Sequence, residues 1–150
     1  MKLFDFMNKH FSNKYFSLLL AVLLLSATAA WGQTRFPTAH GDRMSYNALI
    51  ELPRGYMSGI CMMVNSNDTI RGSLFNEFGI SALDFTYLAG KGRVRLHHVV
   101  GPLNRWYLKR VVSHDLARLF EAMQRGDSTY TNERRNIRYQ LTPISNDSKE

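Results

Sequence analysis

The sequence contains one cysteine in 150 residues. A lone thiol at Cys61 excludes an intramolecular disulfide, so the core alone must stabilise the fold. It also lies far from the N-terminus, where a lipobox would need a cysteine directly after a cleavage point, so lipid attachment is not expected. Its place in the apolar run YMSGICMMV points to a buried, inert thiol. The longest uncharged apolar run, residues 15–30, falls short of the roughly 20 residues that a spanning helix needs. There is no G-x-S-x-G turn for a serine nucleophile. Internal repeats and low-complexity blocks are absent as well.

What the chain does have begins with its leader. Lys2, Lys9 and Lys14 precede YFSLLLAVLLLSATAA, and Ala30 and Gly32 occupy the −3 and −1 positions of a cut before Gln33. This is the layout of a cleavable export signal over residues 1–32, forming a signal helix, and it implies a periplasmic or outer-membrane-periphery location. Removing it takes away three Lys and Asp5, so the formal charge falls by two from +7. The remaining basic side chains are spread along the chain. Such a balance suits anionic lipid headgroups better than nucleic acid in an exported protein.

The rest is long enough for one domain. Residues 33–45 read as a linker. Residues 46–52 (YNALIEL) make a short strand ended by Pro53 and Gly55. Residues 56–64 are apolar on both faces, which suits a strand covered on both sides or passing a ligand cavity. NSND at 65–68 is turn chemistry. In residues 69–78, Ile70, Gly72, Leu74, Asn76 and Phe78 share one face, opposite Arg71, Ser73, Phe75 and Glu77. Gly79 bends the chain, with Phe78 as a core anchor. Residues 80–88 set Leu83, Phe85 and Tyr87 against Ala82, Asp84 and Thr86. After AGKG, residues 93–100 alternate again. These segments predict a β-meander.

The period then becomes helical: Leu108, Val111, Val112, Leu116, Leu119, Phe120 and Met123 define one amphipathic helix over 104–125, ended by Gly126. Ser113 as an N-cap is the alternative start. Residues 135–142 form a final edge strand, and 143–150 a flexible tail. The expected fold class is α+β: a curved antiparallel β-meander of at most six strands, an open half-barrel over residues 46–142, crossed by one helix.

The stretches GSLFNEFGISALDFTYL and VRLHHVVGPLNRWYLKRVVSHDLARLF resemble small exported proteins of Bacteroidetes-type bacteria. The resemblance rests on Asn76, Glu77, Phe78 and Gly79, on Asp84 and Phe85, on Leu103 and Asn104, and on Asp115, Leu116 and Leu119. These in turn are similar to the lipoprotein-localisation LolA/LolB-like fold, an open half-barrel capped by helices. That resemblance implies an apolar cavity that receives a lipid or a lipoprotein acyl chain. The wall would come from Met62, Val64, Leu74, Phe75, Phe78, Leu83, Phe85 and Tyr87, with Leu116 and Phe120 as a lid.

No catalytic constellation emerges from the residues, so no enzyme activity and no cofactor are expected. His97 and His98 are adjacent in a strand and should point to opposite faces, which argues against a shared metal ion. Glu77 and Asp84 read as a surface or turn-capping pair. Ser58-Gly59 and Gly72-Ser73 read as ordinary strand residues. Arg93, Arg95, Arg105, Lys109 and Arg110, beside Trp106 and Tyr107, suggest contact with an anionic membrane surface. The functional expectation is therefore a non-enzymatic envelope protein that binds lipid. The alternative is a structural or protein-interaction module with a filled core and an exposed sheet edge that pairs with a partner.

Overall fold

The computed structural model describes residues 36–144. The expected leader and the last six residues of the tail lie outside them. Seven strands form one antiparallel sheet: β1 (Arg43–Leu52), β2 (Gly55–Ser66), β3 (Thr69–Asn76), β4 (Ser81–Leu88), β5 (Arg93–Val99), β6 (Thr129–Asn132) and β7 (Ile137–Pro143). Their order is β5-β4-β3-β2-β1-β7-β6. Among the described residues a single α-helix, α1 (Trp106–Gln124), separates β5 from β6 in sequence and touches both of these edge strands. The sheet therefore curls around the helix as a half-barrel, and the α+β architecture is as expected.

Each strand alternates because only one face meets the helix. Tyr46, Ala48 and Ile50 of β1, Cys61 and Met63 of β2, Ile70 and Leu74 of β3, and Leu83, Phe85 and Tyr87 of β4 are buried. They meet Val112, Leu116, Leu119, Phe120 and Met123 from α1. Phe120 stands at the centre, with ring centroids 5.2 Å from both Phe85 and Tyr87.

The helix is fastened at both sheet edges by polar groups. On one side the Ser113 hydroxyl donates to the Val94 carbonyl. Ser113 is thus a mid-helix anchor and not an N-cap; Arg105 takes the capping position with no side-chain cap. On the other side the buried Asp115 carboxylate accepts two bonds from Asn132 Nδ2, at 2.9 and 3.0 Å, and one from Tyr139 Oη at 3.0 Å. A polar side chain buried this deeply needs such a set of hydrogen-bond partners.

Several expectations are corrected. The segment 127–133 contains β6, so there are seven strands and not six, and β7 lies between β1 and β6 instead of at an edge. The four-residue β6 is too short and too polar for periodicity to reveal. The segment 33–45 is only partly a linker. Phe36 is buried against Phe120 and Tyr87, with centroids 6.3 and 6.4 Å apart, and β1 already starts at Arg43. Asn65 clasps this segment: its Nδ2 donates to the Pro37 carbonyl, and its backbone exchanges bonds with Gly41 and Asp42.

The turn at 77–80 also differs. Gly79 does supply a positive φ of 74°. The Asn76 side chain holds the turn by accepting from the Phe78 and Ile80 amides. Phe78, however, projects outward and is 80% exposed, because the turn tip overhangs the sheet and finds no core to enter.

Candidate functional site

The ten residues expected to line one apolar cavity divide between two sides of the sheet. Leu74, Leu83, Phe85, Tyr87, Leu116 and Phe120 face the helix and pack on one another. Met62 and Val64 of β2 are exposed on the opposite face, Phe75 of β3 is half-buried there, and Phe78 is in the turn. Residues adjacent in a strand cannot share a wall, and the expected set mixed both parities. The helix side is filled. Its remaining void, bounded by Leu74, Leu83, Phe85, Leu116 and Phe120 among others, measures about 20 Å³, about the space of one water.

The larger concavity lies on the outer face. It has a volume of about 590 Å³ and is lined by Met62, Val64, Arg71, Ser73, Phe75, Asp84, Thr86 and His97, with Gly72 and Phe85 at its floor. That volume falls within the range typical of small-molecule sites. Strand register builds it. One transverse row across five strands reads Arg43, Val64, Arg71, Thr86, Arg95. The next reads Ser45, Met62, Ser73, Asp84, His98, and a third carries Asn47, Ile60, Phe75, Ser81. An apolar strip of Ile60, Met62, Val64 and Phe75 therefore runs beside a polar strip on β4 and β5. Among the described residues, Arg43, Arg71 and Arg95 form no ion pair.

A β-bulge shapes the polar strip. Phe85 pairs with Leu96 and Asp84 with His98, so His97 is the extra residue of β5. Leu96 and Val99 flank the bulge on the inner face, and both histidines between them emerge on the outer one. The expectation that the pair would point to opposite faces fails here, because the bulge breaks the period of two. Even so, among the described residues no group of three or more His, Cys, Asp or Glu side chains is placed to hold a metal ion.

Hydrogen bonding occupies this strip. Ser81 Oγ donates to Asp84 Oδ1 at 2.7 Å, and Thr86 Oγ1 lies 2.7 Å from His97 Nε2. Hydroxyl donation from Ser73 and then Ser81 holds the Asp84 carboxyl below its usual range, and both histidines reinforce the effect. A carboxylate stabilised in its charged form is a poor proton acceptor near neutrality. Both serines donate to Asp84 and neither to a histidine; the hydroxyl that meets an imidazole in this strip is Thr86 Oγ1. Glu77 stays exposed in the turn and is not part of this strip.

Gly59 and Gly72 lie within β2 and β3, as expected, and both occupy positions where a side chain would clash. A Cβ on Gly72 would lie 2.3 Å from the Phe85 ring, and one on Gly59 would lie 1.9 Å from the Phe75 carbonyl oxygen. Gly72 lets Phe85 lie flat across β3 and reach Phe120, while Gly59 lets β2 approach β3 closely where it pairs with Asn76. On the inner face, burial pushes the Cys61 thiol up to about 12, which fits the expected inert role.

Sequence reasoning found the apolar residues of the outer groove but attached them to the wrong face. It missed Arg71, Ser73, Thr86 and His97 as neighbours, because their meeting depends on register across three strands. The runs of apolar residues on both parities at 60–64 were the available signal. Among the described residues no helix is long and apolar enough to cross a membrane. No protein-family model, no curated protein and no solved structure matches this chain.

Proposed function

We propose that this is an exported, non-enzymatic protein of the cell envelope that binds a single-chain anionic amphiphile, such as a fatty acid or the acyl chain of a lipid. The binding surface in this reading is the outer groove, not the space between sheet and helix. The observation that carries it is the pairing of an apolar strip, Met62, Val64 and Phe75, with the unpaired guanidinium of Arg71 in a groove of about 590 Å³. The apolar strip suits a hydrocarbon chain, and Arg71 suits a carboxylate or phosphate. The resemblance read in the sequence at residues 72–119 suggests lipid as the ligand class, with the acyl chain moved to the other face.

Titration with a dansylated fatty acid tests it. Wild-type protein should enhance and blue-shift the dansyl emission. Arg71→Ala should weaken binding about tenfold, the value of one charge-assisted contact. Met62→Glu should abolish it. Equal binding by all three proteins rejects the groove as the site.

A second reading is favoured by the filled interior. With only about 20 Å³ of void beneath the helix, the half-barrel serves as a rigid interaction module without a ligand. Under that reading, no amphiphile shifts the melting temperature, and cross-linking through the outer face recovers a protein partner.

A further inference from the structure

Large apolar side chains are rarely left exposed together without a partner. Among the described residues eight are exposed: Ile60, Met62 and Val64 belong to the groove strip, leaving Tyr56, Phe78, Ile80, Trp106 and Tyr107. The topology gathers these five at one end. In an antiparallel sheet, successive connections alternate between ends. The β1–β2 turn, the β3–β4 turn, the β5–α1 connection and the β6–β7 turn must therefore all emerge on the same side. Tyr56 lies at the first, Phe78 and Ile80 at the second, and Trp106 and Tyr107 at the third. The opposite end carries residues 36–42, the β2–β3 and β4–β5 turns and the C-terminus of α1, with no exposed large apolar side chain among the described residues.

Charge follows the same division. The aromatic end bears Arg54, Arg105, Lys109, Arg110, Arg134 and Arg135 against Glu77 and Glu133, all exposed, and the Glu51–Arg138 ion pair at 3.8 Å beside Tyr56 adds no net charge. None of the six cations is within ion-pair distance of a carboxylate among the described residues. Trp106 and Tyr107 stack edge to face at 6.0 Å, and Arg105 Nη1 reaches the Tyr107 hydroxyl at 3.3 Å. Indole and phenol rings prefer the headgroup level of a bilayer, and Arg and Lys beside them are drawn to anionic headgroups. Protein interfaces are enriched in the same side chains, so the one-signed charge beside the rings is what points to lipid phosphates.

We propose that this end of the half-barrel docks onto an anionic lipid bilayer, with Trp106, Tyr107 and Phe78 at headgroup depth and Arg105, Lys109 and Arg110 against the lipid phosphates. The docking end is separate from the groove and does not depend on the groove holding a ligand. Of the cluster expected from sequence, Arg105, Lys109 and Arg110 belong to it. Arg93 and Arg95 do not: Arg95 lies in the outer-face row, and Arg93 at the far end of β5.

Trp31 and Trp106 are the only tryptophans. The exported form proposed above, from Gln33 onward, lacks both Trp31 and the apolar leader and therefore reports on Trp106 alone. It is mixed with phosphatidylcholine vesicles containing a brominated lipid, with or without phosphatidylglycerol. Trp106 emission should shift to the blue and be quenched in the anionic vesicles, and about 0.5 M salt should reverse most of this. Arg105→Gln/Lys109→Gln/Arg110→Gln should weaken the anionic-lipid response on the order of a hundredfold at low salt, about fivefold per charge. Lys91→Gln/Arg93→Gln/Arg125→Gln, at the opposite end, and Arg71→Ala, in the groove, should leave it unchanged. Co-flotation without quenching of Trp106 would overturn the proposal, since other residues would then hold the membrane. Equal quenching in neutral and anionic vesicles, equal loss in both triple variants, or loss on Arg71→Ala would overturn it too.

Discussion

Replacing Phe120 with alanine distinguishes a filled core from a lidded cavity. The side chain is fully buried, with Phe85, Tyr87 and Phe36 around it at 5.2, 5.2 and 6.3 Å between centroids. Losing its transfer from water costs about 2 kcal/mol. The neighbours come from β4, from α1 and from the segment before β1, so they cannot all collapse inward. A residual cavity of roughly 80 Å³ would add about 2 kcal/mol more. The expected loss is about 4 kcal/mol, within the range of about 3–5 kcal/mol seen for core Phe→Ala changes. With a urea m-value of about 1.5 kcal/mol/M, the unfolding midpoint should fall by about 2.7 M. Urea titration followed by circular dichroism measures it, with a dansylated fatty acid added in parallel. A loss under about 1 kcal/mol, together with stronger uptake of the fatty acid, would refute the reasoning, for Phe120 would then be the lid of an accessible cavity.

Asp115→Ala should cost about 3 kcal/mol, because Tyr139 Oη and Asn132 Nδ2 lose their shared acceptor inside the fold; Asp115→Asn should cost less, and equal melting temperatures for all three proteins would contradict the anchoring role. The depressed Asp84 carboxyl fixes the sign of an acid effect: its contribution to stability is complete above its ordinary value near pH ~4 and is lost as pH falls through the lower folded value. The gap in urea midpoint between wild type and Asp84→Asn should therefore be widest near neutrality and close below about pH 4. Parallel curves from pH 3 to about 7 would show that the serine hydroxyls do not stabilise the charged form.

The parts of the fold legible in the sequence were those governed by local period. β3, β4 and β5 alternate clearly enough to be bounded within a residue or two, and α1 shows its apolar stripe. The misplaced parts depend on partners distant in sequence. Phe36 sits among polar residues and Pro37, and only Phe120 and Tyr87, far along the chain, make it a core residue. β6 exists because β7 offers it a ladder and Asp115 binds Asn132. His97 and His98 share a face because β4 and β5 differ in length by one residue at the bulge. The outer groove is invisible to any one segment, since its rows cross five strands and each contributes a single side chain.

The uncovered surface also decides which part of the molecule is left to interact. An open sheet usually offers its edges, and edge pairing is a natural mode for an interaction module. Here both edges are partly occupied from within. The Val94 carbonyl of β5 accepts from Ser113, and β6 is four residues long with Asn132 turned to Asp115. The exposed flank of β5 bears Arg93, Arg95 and His97, charged or polar side chains of the kind that discourage strand addition. One helix covers one face, so the apolar strip of β2 and β3 stays in water. Ile60, Met62 and Val64 still expose about half of their surface or less, and burying it would contribute roughly 1 kcal/mol each, while the edges offer no comparable apolar area. A partner or ligand of this half-barrel therefore gains most by lying across the outer face or against the aromatic end, and an added strand at β5 or β6 gains least.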